Sequence, residues 1–337
     1  MKHSIQLMVA LSAASAFAAT PEVSEVTLVQ DVNTRDVTIT YAIANGPAVV
    51  TLDIQTNALT DASGEWVSIG AKNFVGVTGD VNRYVSAEEG TITWHPSLDW
   101  PEQKVPAKCM RAVVNAWALD NLPDYMAVDL NATSDRRISY YANAEAVPGG
   151  VLNPIFRTTS MLFRRMHARG VPFSMGSTAC ELGVNGANEH PCRAVIGNDY
   201  YIGVFEVTQA QWLLVYADSV VKAKFTVSGS MRPMESVTIR RIREGADNNS
   251  SPNVYPDPPN ASSFMGKLRT LTANVDQFGA TGIASDLPSE AQWEFAARGG
   301  YGEGLWNDGS AILVGDDKSE DANLSRLGRN SWNASRR

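Results

Sequence analysis

The chain has 337 residues, with 28 basic against 36 acidic side chains and a pI near 5.1. This length predicts two domains and is ample for buried cores. Because acidic residues outnumber basic ones, the chain lacks the excess of positive charge that proteins use to bind nucleic acid or an anionic membrane surface. Small molecules, glycans or proteins remain as partners.

The N-terminus has the order of a secretory signal peptide. Lys2 and His3 are followed by an apolar run over residues 5–11, and small residues follow up to Ala18. The apolar run is far shorter than the about 20 residues that a membrane-spanning helix needs, and no comparable run follows it. We therefore expect residues 1–18 to be removed, and the protein to be secreted, periplasmic or at the cell surface, without a membrane span.

Residues 19–145 are typical of an all-β module. Apolar and polar residues alternate over 37–43 and again over 50–54, which places each apolar set on one face of a strand. The turn signal Asn45-Gly46-Pro47 lies between these runs, so we expect them to pair as a hairpin. About seven short strands at this spacing predict a β-sandwich of the immunoglobulin or fibronectin type III kind. The further strands are expected over 91–94, 110–119, 126–130 and 137–141.

A Pro- and Gly-rich stretch begins the predicted linker, residues 146–160, and the second domain is expected over 161–337 with mixed α and β structure. Thr208 and Gln211 have the spacing of a capping box, which predicts a helix that begins after Thr208. Val207 and Trp212 fit a hydrophobic staple, so we expect Trp212 to pack.

A second capping box, Ser289 with Gln292, predicts a helix that ends before Gly299-Gly300. We expect Trp293 and Phe295 of this helix to be largely buried. Glu294 and Arg298 lie four residues apart, so they are expected to form an ion pair near the surface.

The candidate metal-binding side chains are few. Cys180 and Cys192 could close a disulfide loop, which the chain-entropy model values at about 3 kcal/mol, or both could remain free thiols. Cys109 lies far from both, and no spacing matches a zinc site. The histidines that remain after signal cleavage, His95, His167 and His190, are widely separated, which disfavours a three-histidine iron centre.

An acidic loop over residues 315–323 gathers four carboxylates and an amide. Oxygen ligands of this kind suit calcium. The spacing does not match an EF-hand loop, however, and dense acidic loops are usually solvated. From composition alone we therefore expect this loop to be solvated surface.

Five blocks in the second half of the chain follow the order found in one family, and together they cover approximately residues 161–333. On these blocks the region resembles the formylglycine-generating-enzyme, or sulfatase-modifying-factor, family. The resemblance implies an irregular α+β fold related to the C-type-lectin topology. The blocks are residues 171–177, 189–191, 200–212, 231–234 and 287–300.

The resemblance also implies a reaction and two metals. Formylglycine-generating enzymes oxidise a substrate cysteine of sulfatase-type proteins with molecular oxygen, at copper(I) held by two cysteines after a Gly-Asn-Val-Trp-Glu-Trp-like segment. That segment and that cysteine pair do not occur in this sequence, so no catalytic residue is assigned and the chain is expected to be inactive alone. The family's calcium ligands match Asn323 and the backbone carbonyl of Leu324.

The remaining ligands would lie beyond residue 337, so we expect the domain to be incomplete at its C-terminus. The alternative function is a non-catalytic extracellular module that binds a glycan or a protein. A cysteine pair beyond residue 337 would favour the oxidase, and its absence would favour the binding module.

Overall fold

A computed structural model describes residues 19–70, 74–133, 136–176, 190–217, 230–244, 257–273 and 283–300. Within these ranges the protein is rich in strands and has few helices, which agrees with a β-rich N-terminal module followed by a mixed domain. The predicted signal peptide lies outside the described residues, so its cleavage stays a prediction.

Two antiparallel sheets form the N-terminal part. The first sheet contains β1 (Glu22–Gln30), β2 (Val37–Ala44), β5 (Val77–Gly79) and β7 (Glu89–Trp94), in the order β1-β2-β7-β5. The second contains β3 (Ala48–Asn57), β4 (Trp66–Ser68), β6 (Arg83–Val85) and β8 (Met110–Trp117). In this second sheet β3 pairs with β8 along most of its length and with β4 and β6 near its two ends.

The two sheets share one hydrophobic core. In β2 the buried residues alternate with exposed threonines, and the apolar side chains meet those of β3 and β7. Ile39, Ile54 and Trp94 are fully buried there. The predicted strands over 37–43 and 50–54 and their apolar faces are therefore confirmed. The comparison with immunoglobulin or fibronectin domains stays a prediction.

The predicted hairpin between β2 and β3 is wrong. β2 pairs with β1 and β7, whereas β3 belongs to the other sheet. The turn at Asn45-Gly46-Pro47 carries the chain from one sheet across to the facing one. Alternation identifies the face on which a side chain lies, but it does not identify the neighbouring strand.

A third antiparallel sheet, of order β10-β9-β11-β14, joins strands from either side of the predicted linker 146–160. A single-turn 3-10 helix, Ala144–Ala146, leads into that stretch, and the stretch itself contains another, Pro154–Arg157. Its Val147 and Phe156 are buried against this sheet. It therefore does not separate two sheets. The strands are β9 (Tyr125–Asp129), β10 (Ile138–Tyr141), β11 (Ser160–Met166) and β14 (Tyr200–Gly203).

β3 is buried on both faces and belongs to two cores. Val50 faces the first core, whereas Val49, which is 0% exposed, packs into a second core with Met126 and Val128 of β9. On the Val49 face, Trp117 Nε1 donates to Thr51 Oγ1 at 2.9 Å. The third sheet therefore docks directly on the second.

Backbone hydrogen bonds reinforce this docking. Asn82, just before β6, donates its N–H to Val50 O at 2.7 Å and accepts the Tyr140 N–H of β10 at 2.8 Å. One residue thus connects the central strand of the second sheet with the edge of the third.

The remaining elements pack around the third sheet. Trp212 stacks on Phe264 with ring centroids 4.6 Å apart and planes inclined by 5°, which joins α2 to α4. None of the helices within the described ranges is long and apolar enough to cross a membrane. The elements are α1 (Pro96–Asp99), the 3-10 turn Ala107–Cys109, the ribbon β12 (Pro172–Met175) and β13 (Cys192–Val195), and the helices α2 (Gln209–Tyr216), α3 (Ile239–Arg243), α4 (Phe264–Thr272) and α5 (Glu290–Ala297).

Both predicted capping boxes are confirmed. Thr208 Oγ1 accepts the Gln211 N–H, and Gln211 Oε1 accepts the Thr208 N–H at 2.9 Å. Gln211 is buried, and its amide also donates to Ser160 O of β11 at 2.6 Å, which ties α2 to the third sheet. Ser289 and Gln292 form the same reciprocal pair at the start of α5. Trp212 is 2% exposed, as predicted.

The prediction that Trp293 is buried is wrong, because this side chain is 62% exposed. Phe295 is 3% exposed, as predicted, and packs with Ala291 against the ribbon. Residues 291 and 295 share a helix face, whereas residue 293 lies about 200° around the helix from either of them. A short helix on one side of a thin ribbon buries one face, so Trp293 points outward.

The double burial of β3 predicts a specific loss of stability. Val49→Ala should lower the free energy of unfolding by about 2 kcal/mol, because it removes two buried methyl groups from the contact between β3 and the third sheet. Val29→Ala is the control, since Val29 is 63% exposed on β1. The urea unfolding midpoint should fall for Val49→Ala alone. Equal midpoints for the two variants would contradict the docking of the sheets.

Candidate functional site

Helix α5 is fastened to the ribbon β12–β13 by an apolar contact. Phe295 meets Phe173 of β12 edge to face, with ring centroids 5.2 Å apart and planes inclined by 72°. Ala168, Ile196 and Ala194 complete this small core. Two of the sequence blocks, 171–177 and 287–300, are therefore brought together in space.

A polar tether completes the attachment of α5. Glu294 Oε1 accepts the backbone N–H of Gly176 at 2.9 Å and an N–H of Arg298 at 2.9 Å, and Arg298 donates to Gly176 O at 3.1 Å. The predicted Glu294–Arg298 pair is confirmed. Its setting differs from the expected surface position, because the Arg298 side chain is only 9% exposed and both partners bind the end of β12. A closed set of charge-assisted hydrogen bonds of this kind is stronger than a solvated surface pair.

A cleft of about 290 Å³ lies between the end of α5 and the third sheet. Met166 and Ile202 form an apolar wall, Ala296 and Gly299 form the helix side, and Arg164 is exposed beside them. A guanidinium presents several N–H donors in one plane, which suits a carboxylate or a row of peptide carbonyls. The cleft can therefore hold a short polypeptide segment or a small anion.

A charged cluster fixes the end of β11 next to this cleft. The Arg165 side chain is 7% exposed, and it donates to Asp199 Oδ2 at 2.7 Å, to Asn121 Oδ1 at 2.9 Å and to Leu122 O. Asp199 also accepts the backbone N–H of Arg169 at 2.9 Å. A buried guanidinium needs such partners, because an unpaired charge in the interior is costly.

The environment of Asp199 lowers the pKa of its carboxyl below the ordinary value of 3.8. Partial burial raises this pKa, but the hydrogen bonds from the Arg169 N–H and from Arg165, together with the Arg165 and His167 charges, outweigh it. The ionised carboxylate is therefore the form that the fold stabilises.

The sequence-predicted metal ligands are not brought together in the described part of the chain. Asn323 and Leu324 lie outside the described residues, as does Cys180, so the calcium site and the disulfide question stay open there. Cys192 is exposed on β13, whereas Cys109 is buried and its Sγ donates to Leu59 O at 3.3 Å. Cys109 ends the 3-10 turn before β8, whereas Cys192 begins β13 of the ribbon, so the described residues do not fit a two-thiolate copper(I) site.

The histidines considered as metal ligands do not form a cluster in the described part of the chain. His95 Nδ1 lies 2.6 Å from Asp36 Oδ1, and His167 Nε2 lies 2.9 Å from Asp124 Oδ1. Within the described ranges no group of three His, Cys, Asp or Glu side chains has a geometry that could hold a metal ion.

Sequence reasoning missed the buried arginines that organise the second half. Arg243 of α3 is 5% exposed and binds both carboxylate oxygens of Asp286 at 2.8 and 2.9 Å, and it also donates to Asp257 O at 2.6 Å. This pair fixes the segment that leads into α5. Its partners lie 43 residues apart in sequence and follow no motif, so no local signal identifies them.

The low pKa of Asp199 predicts an acid-dependent stability. Because the folded-state pKa lies below the unfolded value, the stabilisation is present above about pH 4 and is lost as pH falls through the folded pKa. Asp199→Asn should therefore lower the melting temperature at neutral pH, and the difference from wild type should shrink as pH falls below about 4. Asp120→Asn, at an exposed position, is the control. A difference that stays constant across this range would show that the Asp199 charge does not stabilise the fold.

Comparisons with known proteins place the sequence blocks inside one family match. The family model described as "Sulfatase-modifying factor enzyme 1-like domain" matches residues 165–336, slightly more than half of the chain. "Chaperone protein LppX" of Paenibacillus barcinonensis is 36% identical over 113 residues, which cover 31% of this chain and 37% of that protein. The match therefore spans little more than a third of the relative's length. No solved structure matches the chain significantly. On the extent of the family match, which runs from the end of β11 through α5 to residue 336, the chain belongs to the sulfatase-modifying-factor family.

Proposed function

We propose that this protein is an exported sulfatase-modifying-factor-like protein that acts on a sulfatase-type polypeptide. The observation that carries the proposal is the family match over residues 165–336, which includes the α5–ribbon assembly. The reaction that the family membership implies is oxidation of a substrate cysteine to formylglycine. The signal-like sequence of residues 1–18 supports export.

The part of this function that we assign to the described residues is recognition of the polypeptide. Copper(I) chemistry needs two thiolates close together, and neither Cys109 nor Cys192 has a thiol neighbour within the described residues. The cleft beside α5 has apolar walls and one guanidinium at Arg164, which suit an extended segment of a substrate. We therefore derive no catalytic step from these residues.

A second candidate is a non-catalytic extracellular module that binds a protein or a glycan. The relative that carries the name of a chaperone favours a polypeptide partner for this alternative. The direct docking of the third sheet on the N-terminal sheets also suits a rigid binding unit, because it fixes the relative position of the surfaces.

The function is tested with a fluorescent peptide that contains the cysteine segment of a sulfatase. We expect the chain to bind the peptide in an anisotropy titration and, when it is supplied with copper and oxygen, to leave the cysteine unchanged in mass spectra. Arg164→Gln should weaken binding, and Arg35→Gln, at an exposed position in the turn between β1 and β2, is the control.

Conversion of the cysteine by this chain alone would contradict our assignment of its thiols. Absence of peptide binding, together with binding to a panel of neutral oligosaccharides, would favour the glycan-binding alternative.

We further propose that Asn323 and the Leu324 carbonyl contribute to a calcium site. A protein that carries the whole ligand set should melt at a higher temperature with millimolar calcium than with a chelator, because a ligand that binds only the folded state stabilises it. Residues 1–337 alone should bind calcium weakly, because Asn323 and the Leu324 carbonyl supply only part of that set. In the protein with the whole set, Asn323→Ala should abolish the rise, while Asn333→Ala should preserve it. Equal melting temperatures of that protein with calcium and with chelator would remove the proposal.

A further inference from the structure

A second, larger cleft of about 610 Å³ lies where the first sheet approaches the third. Its volume falls within the range of about 300–1,000 Å³ that is typical of ligand sites. All of its lining residues precede residue 165, so it lies outside the region that matches the family. We call it the junction cleft.

The rim of the junction cleft is aliphatic and exposed. Val75 is 73% exposed, Leu98 is 64% exposed and Ile155 is 41% exposed, and all three line the cleft. Single exposed apolar residues are common on protein surfaces. Three that surround one cleft, from segments far apart in sequence, form the kind of apolar patch that marks an interaction surface.

The rim is held in place by a carboxylate. Asp99 Oδ1 accepts the backbone N–H groups of Val75 and Gly76 at 2.8 and 2.9 Å, and Asp99 Oδ2 accepts Trp94 Nε1 at 3.0 Å. These bonds fix the Val75 segment against α1. A preformed wall reduces the ordering cost that a ligand must overcome when it binds.

The floor of the cleft is polar and negatively charged. Asp129 Oδ1 accepts the backbone N–H groups of Asn131 and Ala132 at 2.9 and 3.2 Å. The charged lining residues of the whole cleft are two carboxylates, Asp99 at the rim and Asp129, and one guanidinium, Arg136. The formal charge of the lining is therefore negative, which suits a basic side chain.

The aromatic rings of the cleft are not available for stacking. Tyr141 is 9% exposed and Phe156 is 5% exposed, and both contribute to the core beneath the cleft. Burial raises the pKa of the Tyr141 hydroxyl, which therefore stays protonated. Sugar rings usually need an exposed aromatic face, whereas apolar peptide side chains pack well on aliphatic rims, so the chemistry favours a polypeptide over a glycan.

We propose that the junction cleft binds an extended polypeptide segment in which aliphatic side chains flank a basic residue. The aliphatic side chains pack on Val75, Leu98 and Ile155, and the basic group pairs with Asp129. This site is separate from the cleft beside α5, so it gives the protein a second polypeptide contact beyond the proposed function.

The test uses three fluorescein-labelled peptides, Gly-Leu-Lys-Leu-Gly, Gly-Leu-Glu-Leu-Gly and Gly-Ser-Lys-Ser-Gly, in anisotropy titrations with the full chain. We expect the first to bind at least about tenfold more tightly than the other two, because each of them loses one of the two recognition elements. This comparison uses the wild-type protein, so it does not depend on a variant's folding.

Variants then locate the site. Leu98→Ser and Asp129→Asn should each weaken binding of Gly-Leu-Lys-Leu-Gly, and the amide oxygen at position 129 can still accept the Asn131 and Ala132 N–H groups. Val29→Ser on β1, at the opposite edge of the first sheet, is the matched control. Equal affinity for the three peptides, unchanged affinity of both cleft variants, or binding of neutral oligosaccharides without peptide binding would each overturn the proposal. Arg164→Gln should leave this binding unchanged, which separates it from the proposed function.

Discussion

The structure depends on one strand that is buried on both faces. β3 runs through Ala48, Val49, Val50, Thr51 and Leu52, all of them buried, and its two faces belong to different cores. Separation of the third sheet from the second would expose Val49 and break the hydrogen bond between Tyr140 and Asn82. Apolar burial on two sides of a central strand is the dominant stabilising term at such a contact. The N-terminal sheets and the start of the family domain are therefore one packed unit.

This unit decides where the clefts lie. Along β9, Met126 and Val128 face the core shared with β3, whereas Tyr125, Ala127 and Asp129 face the other way. Tyr125 lines the cleft beside α5, and Asp129 lines the junction cleft. Both clefts are thus on the same face of the third sheet, at opposite ends of one strand. The two polypeptide contacts that we propose would therefore lie on one face of the third sheet. The position of this sheet is fixed because its opposite face packs on β3.

Signals from residues close in sequence predicted much of the fold, whereas the contacts between distant segments were not predicted. Alternation identified the buried face of β2, and the capping boxes placed the starts of α2 and α5, because both depend on residues a few positions apart. Whether β3 pairs with β2 after Asn45 or crosses to the facing sheet depends on contacts with distant strands. The sequence pattern therefore did not predict the crossing. Residues 146–160 have the composition of a linker, yet Val147 and Phe156 supply core contacts. The continuous run Ala48-Val49-Val50 was the available signal that β3 is buried on both sides.

The candidate site was less predictable, since its polar contacts join distant segments. The i to i+4 pair of Glu294 and Arg298 was predicted from spacing, but its binding to Gly176, 118 residues away from Glu294, was not.

The central claim, that β3 unites the N-terminal sheets with the third sheet, is tested most directly by hydrogen exchange followed by mass spectrometry under native conditions. Peptides that cover 48–57 and 160–166 should be among the slowest to exchange and should lose protection together as denaturant is added. Full exchange of 160–166 while 37–44 and 48–57 stay protected would contradict the account.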